Sequence, residues 1–221
     1  MKIALLHPQF APNLYDLASM IHADRIIWQD TEPWSRKGRS HRAKIRTADG
    51  FQWVNIPIKT EDKGKSNGEV RIDHNQDWIT PFWYALEYNY RNSIYFDVYE
   101  PELRADLKHA REIDRLISFN IYFIKRLFRY LELNLTIEYA SSIKEYDTDP
   151  DHLLHTLHAS TLFMEHQARN YQRQATHVDK AMIQHPRYRQ HFPGFIEECS
   201  ILDVLFEYGP ESFELLDGLY T

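Results

Sequence analysis

Between Ile3 and Trp28 the chain sets two short apolar runs on either side of a helical pattern, and this arrangement constrains the fold more than any other feature. Ile3–Leu6 reads as a buried strand. Pro8 and Pro12 break regular structure after it. Asn13 caps a helix on which Leu14, Leu17, Ala18 and Ile21 recur at helical spacing. Arg25–Trp28 is the second strand. A helix joining two strands makes them parallel, with a right-handed crossover. Their carboxyl ends then leave the same sheet edge, so the loops His7–Pro12 and Asp30–His41 start as neighbours, with strands ~4.8 Å apart.

The later pattern adds a hairpin and then helices. Ala43–Arg46 and Phe51–Ile58 pair across Ala48-Asp49-Gly50, where Asp-Gly favours a tight turn. Thr60–Gly68 reads as an exposed loop, and Val70–Ile72 as one more short strand. Thr80-Pro81 opens a helical region. Glu102–Leu131 carries a continuous helical stripe, Leu135–Tyr139 returns to the sheet, and Asp151–Ala159 and Ile201–Tyr208 are helices. The expected fold is α/β. A βαβ unit and a hairpin form a mostly parallel or mixed sheet, packed with C-terminal helices. Residues 1–76 are sheet-rich and residues 77–221 mainly helical, within one continuous unit.

Charge and cysteine content narrow the function. The net charge of −6 disfavours nucleic acid and anionic membranes as partners. No apolar run reaches the ~20 residues of a membrane span. The single cysteine, Cys199, excludes an internal disulfide and a thiolate-rich metal cage, which fits a cytoplasmic protein. Glu197 and Glu198 beside it disfavour a thiolate nucleophile. No glycine pattern forms a dinucleotide or P-loop fingerprint, and no nucleophile elbow is present, so no cofactor is expected.

Five groups of residues can carry chemistry. His7 and Gln9, after the first strand, can bind a ligand oxygen or shuttle a proton. Six of the eleven residues from Arg36 to Arg46 are Lys or Arg, against the acidic background. Arg36, Arg39, Arg42 and Lys44 there suit a small anionic or sugar-phosphate ligand, and His41 is a second acid/base candidate. Trp78 and Tyr88, in an aromatic-rich stretch, can stack on a sugar or pack in the core. His152, His155 and His158 diverge on a helix by ~120° from first to third, which suits surface residues better than a metal site, so no metal is expected. Asp203 fits a Ser-x-x-Asp helix start and is also a candidate for orienting a catalytic group.

Separated motifs also resemble the WbqC-like family of bacterial proteins. They are His7-Pro8-Gln9-Phe10-Ala11-Pro12, Ala23-Asp24, Ser40–Ile45 followed by Gly50–Ile58, Tyr188-Arg189-Gln190-His191-Phe192, and Ser200–Gly209. His41 and Glu207 stand where that family usually has Asn. The family is associated with O-antigen and other surface-polysaccharide gene clusters, and an aminoacyl (glycine) transferase role has been suggested for it. The resemblance therefore implies group transfer to a nucleotide- or lipid-linked sugar, or a non-catalytic glycan- or partner-binding accessory protein. It adds Tyr188 and Gln190 to the candidate substrate-binding residues, in a C-terminal segment that closes the cleft.

Overall fold

The computed structural model describes residues 1–176 and 187–217. Strands β1 (Lys2–Leu6) and β2 (Arg25–Trp28) flank helix α1 (Leu14–Ile21). The Asn13 side chain accepts from the Asp16 N–H and caps α1 as the sequence predicts. The pair is parallel, with Ile3 opposite Arg25 and Leu6 opposite Trp28. Two more parallel strands complete the sheet: β5 (Ile137–Tyr139) beside β2, and β6 (Thr161–Met164) beside β1, in the order β5-β2-β1-β6. β6 lacks a distinctive pattern of its own, and pairing with β1 defines it.

Alternation along β1 splits its side chains between two cores. Ala4 and Leu6, with Ile26, Trp28 and Phe163, face the larger core. Ile3 and Leu5, with Ile27 and Leu162, face a smaller one under α5 (Pro150–Thr156). Burial on both faces is what the uninterrupted apolar runs require. The larger core takes in α1, α2 (Ile79–Tyr90), α3 (Phe96–His109), α4 (Leu116–Tyr130), α6 (Ile201–Tyr208) and Leu216 of α7 (Ser212–Asp217). It also seats the hairpin of β3 (Arg42–Thr47) and β4 (Gly50–Asn55), a separate antiparallel ladder that does not extend the parallel sheet. No helix among the described residues is long and apolar enough to cross a membrane.

Three local expectations are corrected. Val70–Ile72 is not a strand, because only isolated bridges join Ile58 to Ile72 and Arg71 to Arg115. Those bridges also interrupt the long helical stripe. The Asp114 carbonyl accepts from Ile72 N–H at 2.8 Å and the Val70 carbonyl from Leu116 N–H at 3.0 Å, so the chain leaves a short 3-10 turn at Ala110–Glu112 and is extended at Ile113 and Arg115 before α4. Asp203 does not cap α6. The Ser200 hydroxyl accepts from Leu202 N–H, while the fully buried Asp203 carboxylate accepts from the Tyr90 and Tyr188 hydroxyls at 2.8 and 2.7 Å and from the Gln190 amide at 3.1 Å. Tyr90 in turn accepts from Arg46 N–H at 2.7 Å, so this carboxylate joins α2, α6, β3 and the Tyr188 segment.

Asp203→Asn is therefore expected to lower the unfolding free energy by ~1–3 kcal/mol, because the amide nitrogen cannot accept these bonds. A pure cap would leave stability unchanged, since Asn caps as well as Asp. Urea denaturation of the two proteins decides between these outcomes.

Candidate functional site

The parallel pairing of β6, β1 and β2 sends three chain segments off one sheet edge. His7 follows β1 and Glu165 follows β6. The Phe10 N–H donates to the Arg39 carbonyl at 3.1 Å, which fixes the basic segment against the first loop. The expected meeting of these two loops is thus present in the structure.

Arg39 is the centre of the arrangement. Only 8% exposed, its guanidinium lies 3.8 Å from Asp16, 3.9 Å from Glu165 and 3.5 Å from Glu198. It also donates to the His166 carbonyl at 2.7 Å. Asp16 comes from the buried face of α1 and accepts from the Gln9 amide at 2.8 Å, the Asn13 amide at 3.1 Å and His166 N–H at 2.7 Å. Glu165 accepts from His7 N–H at 3.3 Å, and its carboxylate lies 3.6 Å from His7 Nδ1. The Tyr171 hydroxyl closes on the other oxygen of Glu165. On the solvent side, His166 stacks on Tyr15 with ring centroids 3.7 Å apart and contacts Glu198 at 3.0 Å.

One guanidinium cannot neutralise three carboxylates in a medium of low polarity. Burial, reinforced by the Asp16 charge and opposed by Arg39, pushes the Glu165 carboxyl up to about 8. Burial also raises Asp16, against the opposing pull of Arg39. Burial acts in the same sense on Glu198, yet His166, Arg39 and Lys44 outweigh it and hold that carboxyl below its ordinary value. Burial lowers the His7 imidazole to about 4. Burial thus favours the protonated form of Glu165 beside the neutral form of His7. The Gln9 carbonyl oxygen has no hydrogen-bond partner among the described residues, although Gln9 is fully buried.

A model of the WbqC-like protein family matches residues 7–215. The chain belongs to that family. It is also 24% identical over 230 residues to the uncharacterized protein Rv1507c of Mycobacterium tuberculosis, with 97% of each chain covered. No solved structure matches.

The other candidate residues of this WbqC-like chain are dispersed. Arg36 is exposed. Arg42 stacks on Trp53 at 4.2 Å and donates to the Gly38 and Lys37 carbonyls. Lys44 donates to the Glu197 carbonyl at 2.7 Å. His41 packs edge-on against Trp34, and burial and then Arg42 lower it to about 4. Trp78 is a core residue against Phe82 and Phe119, and Tyr88 is 83% exposed on α2. Tyr188 and Gln190 bind Asp203. His152, His155 and His158 are exposed. Among the described residues no group of three or more His, Cys, Asp or Glu is placed to hold a metal ion. Burial raises the Cys199 thiol well above its ordinary value, in keeping with a thiol that is not a nucleophile.

Sequence reasoning missed Asp16, Glu165, His166, Tyr171 and Glu198. Two signals were available. Asp16 stands three residues after the cap Asn13, and Glu165 stands to β6 as His7 stands to β1.

The pKa values set a pH dependence of stability. His7 and His41 are lowered from 6.5 to about 4, so the unfolded chain binds more protons there and stability rises from pH 4 to 6.5. Glu165 is raised from 4.5 to about 8, so the native state binds the extra proton and stability falls with rising pH between those values. Above pH 6.5 only the Glu165 effect of these three persists, at no more than ~1.4 kcal/mol per pH unit. Glu165→Gln, which mimics the protonated acid, is expected to flatten the decline between pH 6.5 and 8 in urea titrations. An unchanged decline would mean that Glu165 is ionised in the native protein.

Proposed function

We propose that this WbqC-like protein is a transferase of bacterial surface-polysaccharide (O-antigen-type) biosynthesis, which moves an aminoacyl or related group onto a nucleotide- or lipid-linked sugar. The observation that carries this reading is Glu165, a buried carboxyl raised to about 8 at the carboxyl edge of the parallel sheet, beside a neutral His7. In such a transfer the acceptor hydroxyl or amine loses a proton as its bond to the acyl carbon forms, and the departing group gains one. A carboxyl group titrating near the working pH serves both needs, with the neutral His7 imidazole 3.6 Å away as the neighbouring base. The unpartnered Gln9 carbonyl orients the acceptor by accepting from it. Arg36, with Arg42 and Lys44 of the same basic segment, is assigned to the anionic part of the substrate, while Arg39 serves as the internal counter-ion.

A second observation favours glycan binding without catalysis. A cleft of about 330 Å³ between the hairpin and α2 is lined by Gln52, Trp53, Asn55, Gln76, Asp77 and Trp78. Amides beside indoles suit sugar hydroxyls and sugar faces.

The test is a thermal-shift screen of nucleotide sugars, followed by mass-spectrometric transfer assays on the hits. A true ligand at a hundredfold excess over its Kd stabilises the native state by ~2.7 kcal/mol. Arg36→Ala/Arg42→Ala is expected to abolish the shift while the chain stays folded. Glu165→Gln is expected to keep the shift and lose ~10²–10⁴ in transfer rate. A ligand that shifts both variants equally, with no transfer by the wild type, would assign the protein to glycan binding.

A further inference from the structure

A second cleft, of about 350 Å³, opens between the first turn of α2 and the second half of α3, and none of its lining residues belongs to the site above. Its apolar lining is the Tyr84 ring, 63% exposed, over the nearly buried Ile79, Trp83 and Leu107. Arg104, Lys108 and Arg111 also line it, and no acid does, in a chain of net charge −6. The Arg104 guanidinium lies over the Trp83 ring at 4.5 Å.

The nearby acids leave this positive charge incompletely matched. Glu100 pairs with Arg104 at 3.1 Å, Asp77 lies 3.8 Å from an exposed Arg111, and Lys108 forms no ion pair among the described residues. Two donors in this wall, Trp83 Nε1 and Arg104 Nε, are buried with no acceptor among the described residues, and Trp83 is only 6% exposed. Buried donors without acceptors are unfavourable unless something else supplies the oxygen. The α2 N-terminus adds to the field. Its cap residue, Trp78, provides no side-chain acceptor, so the positive end of the helix dipole faces this region with only the Thr80 N–H held by Asp77.

We propose that this cleft binds a phosphate ester whose other part is apolar or aromatic. Three cations spread across one wall, with no acid in the lining, suit several acceptor oxygens, of which a phosphate offers more than a carboxylate. The exposed Tyr84 ring receives the apolar body by stacking. A nucleotide and a lipid phosphate share this chemistry.

Isothermal titration of the full chain with inorganic phosphate, uridine monophosphate and farnesyl phosphate tests the assignment. At least one ester is expected to bind at least tenfold more tightly than inorganic phosphate, and more weakly as salt rises. Preference for uridine monophosphate assigns the cleft to soluble nucleotides, and preference for farnesyl phosphate to lipid-linked carriers. Lys108→Ala/Arg111→Ala alters only exposed side chains and is expected to weaken the preferred ester at least tenfold with an unchanged melting temperature. Trp83→Phe keeps a ring while removing the donor, and is expected to weaken binding too. Absence of ester binding, equal affinity for all three phosphates, or wild-type affinity in the double variant would overturn the proposal.

Discussion

The buried guanidinium of Arg39 is the interaction on which the working end of this molecule depends. It gathers Asp16 from α1, Glu165 from the end of β6, Glu198 from the C-terminal segment and the His166 carbonyl around one charge. Its own backbone carbonyl holds the loop after β1. Removing such a charge leaves buried carboxylates uncompensated, which is far more costly than losing a surface ion pair. Arg39 therefore belongs to the framework of the site, unlike the exposed Arg36 in the same basic segment.

The same interaction supplies the chemistry. With three carboxylates around one guanidinium, ionising all of them is unfavourable, and burial raises both Asp16 and Glu165. Glu198, nearest to His166 and Lys44, is the acid that ionises most readily. Charge imbalance is thus graded from the solvent side inward. That gradient sets a carboxyl of raised pKa beside an imidazole at a position where parallel sheets commonly place ligands. A second buried carboxylate, Asp203, behaves differently because its neighbours are tyrosine hydroxyls and an amide, which tie secondary-structure elements together.

Much of this was legible before the structure. The βαβ unit, the parallel strands, the hairpin and α6 follow from apolar spacing and turn residues, which act over a few positions. The pairing of the first loop with the basic segment followed from topology alone. Reading the basic run as a set of free cations failed in part, because burial and carbonyl acceptors decide whether a cation is available, and neither is encoded in local composition. Asp203 was read as a cap from its spacing, yet its partners Tyr90 and Tyr188 lie 113 and 15 residues away in the chain.

The sequence by itself determined the class of fold, the sheet edge that carries the loops, the family, and His7, Gln9 and Arg39 as residues of that edge. Periodicity, caps and turns fix those features through neighbouring atoms. Only the tertiary structure decided that Glu165, Asp16 and Glu198 surround Arg39, that burial raises the Glu165 carboxyl, and that Trp83 and Arg104 share one wall of a cationic cleft. A carboxylate's charge state and a donor's lack of an acceptor depend on water exclusion and on partners far away in the chain. Those are properties of packing, which no local pattern of residues specifies.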